Sequence, residues 1–261
     1  MSDLILYTVS DGIAAITFNR PQVMNALDPE TIVEFRAVCE HAERDPQARV
    51  VVLRGAGPAF LAGGDVASFK ANLRDFSGKV IALAGELHRG ILALRRAPKP
   101  VIASVHGAVA GAGMSIMMAC DLIIAAEGTQ FNMAYSRIGV SPDGGASWFL
   151  PRLVGYHKAM EMLLLADTMD VAAMQAMGIV NRVVAAAQLE AVTDQLAQRL
   201  AAGPAHAYAE TKALVNSELN QTLSKQLDAE SQAFSRCAAH ADFAEGVTAF
   251  VEKRKAVFKR D

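Results

Sequence analysis

Val101-Ile102-Ala103-Ser104-Val105-His106-Gly107-Ala108-Val109-Ala110-Gly111-Ala112-Gly113-Met114-Ser115 reads as a strand, a turn and the start of a helix. Residues 101–120 hold no Asp, Glu, Lys or Arg, which is the length of a membrane span, and Gly107 and Gly111 form a G-x-x-x-G. The run opens, however, with β-type residues and then carries Ser104, His106, Ser115 and three glycines. A buried strand over 101–105, a tight turn through 107–113 and a buried helix over 114–119 fit it better than a span. With a further strand over 122–126, strands alternate with helices, which implies an α/β architecture with crossover connections.

Toward the N-terminus, residues 4–9 and 13–19 are β-rich and flank Ser10-Asp11-Gly12, a hairpin signal. Asp28-Pro29-Glu30 opens a helix to Arg44, with Asp28 as N-cap and Pro29 at the first helical position. Val50-Val51-Val52-Leu53-Arg54-Gly55 is a short strand, followed by a loop over 56–64 and a helical region reaching Arg96. From about Gln188 the sequence becomes alanine-rich and helical, broken at Gly203-Pro204. The reading divides the chain into a βα core over 1–195, which carries the site, and a helical C-terminal region over 196–261.

Composition narrows the function. The chain has 261 residues, 52% hydrophobic, ample for a packed core. Net charge is -2 with dispersed cations, so no nucleic-acid surface is expected. Cys39, Cys120 and Cys237 have neither metal-ligand spacing nor an even disulfide set, and the first residues are no signal peptide. Reduced thiols in a cytoplasmic protein, with no membrane partner, are the expectation.

Three segments can carry chemistry. Ala59-Phe60-Leu61-Ala62-Gly63-Gly64-Asp65 and Gly107–Gly113 are glycine-rich loops after strands. Such loops serve tight strand–helix packing, or free main-chain N–H groups that brought together make an oxyanion hole. The second loop fails the dinucleotide fingerprint at Ile116 and the nucleophile elbow at Met117. The third segment is Ser141-Pro142-Asp143-Gly144-Gly145, a turn before an apolar run. Asp143 there either caps a helix or acts as an acid/base.

In combination these motifs resemble the crotonase (enoyl-CoA hydratase/isomerase) family. The resemblance covers Ile16-Thr17-Phe18-Asn19-Arg20-Pro21 through Asn25-Ala26-Leu27, the A-F-x-A-G-x-D loop ending at Asp65, and Val105 to Cys120-Asp121. Pro142-Asp143-Gly144-Gly145, Leu150-Pro151-Arg152-Leu153-Val154-Gly155 and the tail over 250–258 complete it. The phenylacetate-pathway isomerase branch is most similar. What the resemblance implies is a spiral of ββα units with a C-terminal helical region that builds trimers, usually paired into hexamers. It implies an acyl-CoA substrate, with coenzyme A part of the substrate and no permanently bound cofactor or metal. The oxyanion donors would be the N–H groups of Gly64 and Ala112. Met24, Asn25, Ala26, Ala62, Gly63, Gly64 and Asp65 would line the coenzyme A site, with Phe250 and Lys253 at its nucleotide end, often from a neighbouring subunit.

One departure bears on mechanism. Hydratases of the family use two glutamates, and Ser115 and Tyr135 stand at those positions. Asp143 matches the aspartate of the isomerase branch, so the expectation is an enoyl-CoA isomerase with Asp143 as its single acid/base. Ser115, Tyr135 and Trp148 would belong to the pocket, the aromatic pair raising the basicity of Asp143 by desolvation. The alternatives are an enoyl-CoA hydratase in which Asp143 directs water, a non-catalytic acyl-CoA-binding subunit, and nucleophilic attack by Asp143. His88, His157, His206 and His240 lack partnered spacing and read as structural or solvated, and Glu86 could reach the pocket. Residues 66–90, expected to shape the acyl pocket, contain no motif that names a substrate.

Overall fold

The computed structural model describes residues 3–71, 73–74, 76–218 and 221–258. The chain opens with the hairpin β1 (Ile5–Ser10) and β2 (Ile13–Phe18), then α1 (Pro29–Arg44) and β3 (Val50–Gly55). The expected helical region divides into α2 (Val66–Ala71) and α3 (Phe76–Arg96). There follow β4 (Val101–Val105), β5 (Ala108–Ala110), α4 (Ala112–Met118), β6 (Leu122–Ala126), β7 (Gln130–Asn132), α5 (Ala146–Val154) and α6 (Tyr156–Leu165). After β8 (Met169–Asp170), α7 (Val171–Ala176) and β9 (Arg182–Val184), the chain ends in α8 (Leu189–Ala201), α9 (Ala205–Glu218), α10 (Leu223–Ala238) and α11 (Ala241–Val251).

Two sheets result. The larger has the order β1-β2-β3-β4-β6-β9, parallel throughout except for the antiparallel hairpin. The smaller joins β5 and β7 in parallel and adds β8 antiparallel. Each turn β4-β5-α4 or β6-β7 thus leaves one strand in each sheet, which is the ββα spiral expected from the sequence.

The step between sheets is made at Gly107, where φ is +62° and a Cβ would stand 1.9 Å from the Pro58 carbonyl oxygen. Only glycine fits that approach. Residues 101–120 are therefore two strands and a helix, and no helix among the described residues is long and apolar enough to cross a membrane. The structure differs from the sequence reading at two points here. Ala108–Ala110 is a strand rather than turn, and the helix starts at Ala112 instead of Met114.

Both faces of the large sheet are covered, which is why β4 shows no polar alternation. Val51, Leu53, Val101, Ala103 and Val105 pack into the main core with α1, α3 and α4. Val50, Val52, Ile102 and Ile124 meet Leu189, Ala197 and Ala201 of α8. Burying each such aliphatic side chain contributes roughly 1.5–3 kcal/mol. Ser104, the polar residue of β4, points to α8 and shares a 2.9 Å hydrogen bond with Thr193. The division expected near residue 195 falls inside α8, whose buried face lies on this sheet.

α9 is pinned to the core by a buried lysine. The Lys212 ammonium donates to the carbonyls of Leu94 (2.8 Å) and Lys99 (3.2 Å) and meets the Asp121 carboxylate at 2.8 Å. Burial pushes its pKa down, against the opposing pull of Asp121.

Candidate functional site: two free amides and an aspartate

The first glycine loop is held by Asn25, which is buried with φ +60°. Its amide nitrogen donates to the carbonyls of Ala59 (2.7 Å), Ala56 (2.9 Å) and Phe60 (3.2 Å), and its oxygen accepts from the Arg20 N–H at 2.8 Å. Arg20 pairs with Asp28 at 2.8 Å and Asp65 at 3.4 Å, and also donates to the Ala26 carbonyl. Asp65 caps the first turn of α2 through the Ser68 N–H at 3.2 Å. The side chains of Asn25 and Asp65, both expected at the coenzyme A site, thus have internal partners that shape the loop. Met24 is different: its carbonyl accepts from the Ala62 N–H at 3.0 Å while its side chain is exposed.

The main chain then runs through Gly63 at φ +100°. Leu27 N–H donates to the Gly63 carbonyl (2.8 Å) and Asp65 N–H to the Leu27 carbonyl (2.9 Å). Those bonds leave the Gly64 N–H as a donor with no acceptor among the described residues. The second loop does the same at Ala112, the first residue of α4 after its N-cap Gly111. Its N–H belongs to the helix turn that has no intrahelical acceptor, and no other described group takes it.

The loops lie against each other. Leu61 N–H donates to the Ala108 carbonyl (3.2 Å) and Ala110 N–H to the Leu61 carbonyl (3.0 Å). A Cβ built on Gly63 would lie 3.0 Å from the Ala110 oxygen and 3.6 Å from the Ala112 nitrogen. Glycine at 63 thus keeps the space beside the Ala112 amide open.

Asp143 precedes α5, but the N-cap is Gly145 and no side chain caps that helix. The carboxylate instead meets His88 on α3, Oδ1 to Nε2 at 2.6 Å, with both side chains partly open to solvent. His88, expected from its lack of partnered spacing to be structural or solvated, thus has a partner. Fifty-five residues separate the pair, and no motif spans them. The Asp143 carbonyl is fixed from beneath. It accepts from the Ser115 hydroxyl at 2.8 Å and the Tyr135 hydroxyl at 3.0 Å, and these hydroxyls lie 3.0 Å apart. Burial pushes the Tyr135 phenol up to about 12, the Asp143 charge adding to the rise and the Ser115 bond opposing it. Tyr135 is therefore a neutral donor across the physiological range.

The remaining expected residues have surroundings of their own. The Trp148 ring is covered by the Arg152 guanidinium at 4.1 Å and abuts Phe149. It lines a cavity of about 770 Å³ that reaches back to His88 and Gly144. Phe250, 86% exposed, lines a separate groove with Phe243, Val247 and Phe258, away from the loops of its own chain. Lys253 is exposed just beyond it, at φ +55°. Glu86 is taken by Arg36 and Arg89. No group of three or more His, Cys, Asp or Glu side chains among the described residues is arranged to hold a metal ion.

The chain matches the family described as enoyl-CoA hydratase/isomerase over residues 8–261. It is 34% identical over 262 residues to the 1,2-epoxyphenylacetyl-CoA isomerase of Escherichia coli, covering 99% of each chain. To the crotonyl-CoA hydratase of Syntrophomonas wolfei it is 34% identical over 256 residues, covering 97% of each. The crystal structure of an enoyl-CoA hydratase from a Polaromonas species aligns at a TM-score of 0.93 with 36% identity, covering 98% of this chain and 99% of that one.

Proposed function

The chain belongs to the enoyl-CoA hydratase/isomerase family, and on that premise we propose that it moves the double bond of a 3-enoyl-CoA thioester to the 2-position. Asp143 is the single proton carrier. The observation that carries this reading is the engagement of the Asp143 site. Its carboxylate caps nothing, while Ser115 and Tyr135, at the positions where family hydratases carry glutamates, are spent on its main-chain carbonyl.

In the reaction the thioester oxygen accepts the N–H groups of Gly64 and Ala112. Asp143 takes a proton from Cα, and negative charge spreads over the carbonyl oxygen, Cα and Cγ. The same carboxyl group returns the proton at Cγ, so nothing is gained or lost. His88 Nε2, 2.6 Å from Asp143 Oδ1, orients the carboxylate. The larger contribution is electrostatic, since loss of one oxyanion donor costs about 2.7–4 kcal/mol. The coenzyme A chain lies along Met24, Ala26, Ala62 and Gly63, with the exposed Met24 side chain against the ligand.

A second reading, hydration, is favoured by one observation: the His88–Asp143 pair could direct a water to Cβ. Assaying one enzyme on a 3-enoyl-CoA and on crotonyl-CoA separates the two. Isomerisation at the higher kcat/KM is expected, and faster hydration would reverse the assignment. Binding of CoA esters without turnover of either would mark a non-catalytic subunit. We also infer a homotrimer, or a hexamer of two trimers, in which the apolar face around Phe243, Val247 and Phe250 is covered and Phe250 and Lys253 approach the nucleotide of a neighbour's ligand. Cytoplasmic degradation of fatty or phenylacetate-derived acyl groups suits free thiols at Cys39, Cys120 and Cys237.

A further inference from the structure

We propose that the cavity beside His88 is an acyl subsite that selects a chain ending in a carboxylate, anchored by Arg95. This rests on the reading that Asp143 works at the thioester's α-carbon. The cavity, about 770 Å³, lies between α3, the start of α5 and α9, within the size range of small-molecule sites. His88, Ile91, Leu92 and Arg95 all line it, at the spacing that puts side chains on one face of a helix. Seven residues at 1.5 Å each place Arg95 roughly 10 Å along α3 from His88. An acyl chain that starts at Asp143 and follows this stripe passes Ile91, Leu92 and the Trp148 and Phe149 rings before it reaches Arg95.

The far end of the cavity is one-sided in charge. Arg95, Arg96 and Lys212 line it, and no lining residue is a carboxylate. Lys212 is occupied by Asp121 and two carbonyls, and Arg96 pairs with Glu43 at 3.2 Å on the outside. Arg95 is left with spare capacity. Its side chain is 22% exposed, it donates to the Asn216 side-chain oxygen, and its approach to Asp121, 3.8 Å, is too long for a hydrogen bond. The Phe149 ring lies 5.6 Å from its guanidinium carbon. A guanidinium carries five donors in a rigid fork, and a carboxylate is the planar two-oxygen acceptor that fits it. Asp121 takes Lys212 and the Val101 N–H on one oxygen, Oδ2, at 2.8 Å each, and its Oδ1 faces Arg95 without closing a hydrogen bond.

The test compares two medium-chain 3-enoyl-CoA esters of matched length, one ending in a carboxylate and one in a methyl group. Wild-type kcat/KM should favour the carboxylate by about tenfold to a hundredfold. Arg95→Gln should bring that ratio close to one, and Arg95→Lys, which keeps the charge without the fork, should retain part of it. A wild-type ratio of one or less overturns the subsite, as does a preference that survives Arg95→Gln. Should Arg95→Gln fail to fold, the wild-type ratio and Arg95→Lys decide. If neither ester isomerises, the reading of Asp143 has failed, and calorimetry with the saturated esters still decides the subsite. Tighter binding of the carboxylate ester supports it there, and equal affinities overturn it.

Discussion

Two hydroxyls meet at the main-chain oxygen of Asp143, and their chemistry fixes what they can do. Tyr135, with its pKa near 12 in the folded chain and about 10 when unfolded, stays protonated in any ordinary assay. Because the folded value is the higher one, its contribution to stability is complete below pH 10 and is lost as pH rises toward 12. Urea unfolding across that window should show a steeper loss in the wild type than in Tyr135→Phe, which keeps the raised Tyr7, Cys39 and Cys120. The same variant should slow isomerisation by about twofold to tenfold through one lost hydrogen bond, with the pH–rate profile below pH 10 unchanged in shape. A displaced limb would give Tyr135 a proton-transfer role instead. At this scale the two glycine loops and the turn at Asp143 are marked by local chemistry, while the roles of Gly64, Ala112 and Asp143 rest on the family resemblance. His88 is not marked, since two residues 55 apart leave no local signal. Nor did residue type reveal that Ser115 and Tyr135 bind a carbonyl.

Elements with strong local chemistry were read within a residue or so. Asp28 caps α1 at the Thr31 N–H (2.9 Å) with Pro29 first in the helix, and β1 closes on β2 through Asp11 and Gly12 as the turn signal implied. The short strands β5, β7, β8 and β9 carry no local signal: they span two or three residues each and are defined by partners distant in sequence. The start of α4 was set two residues late because glycine and alanine mark turn and helix alike. The first loop depends on a side chain rather than on its own sequence. Asn25→Ala leaves three carbonyls without their donor and puts alanine at φ +60°. The expected cost is about 3 kcal/mol or more by urea unfolding, with turnover lowered even where the variant remains folded. A stable variant of wild-type activity would mean that the loop holds without its clamp.

The whole chain is a spiral whose two sheets share one core, closed on one face by α8 and extended by α9 to α11. The α/β class is legible in the alternation of strands with helices, and the spiral in the family resemblance. The placing of the tail is not legible, since α9 is tied down by single buried contacts such as Lys212 to Asp121. Phe250, Val251 and Phe234 remain largely exposed on this tail, an apolar area that assembly would cover. Light scattering should find an oligomer for the wild type and a smaller species for Phe250→Glu. A wild-type monomer would remove the inferred assembly.

The proposed chemistry depends on the Asp143 carboxylate as its single proton carrier, so Asp143→Asn is the deciding variant. Its turnover of a 3-enoyl-CoA should fall by about 10²–10⁴-fold while calorimetric affinity for a saturated CoA ester stays close to wild type. Undiminished turnover with affinity intact would contradict the account.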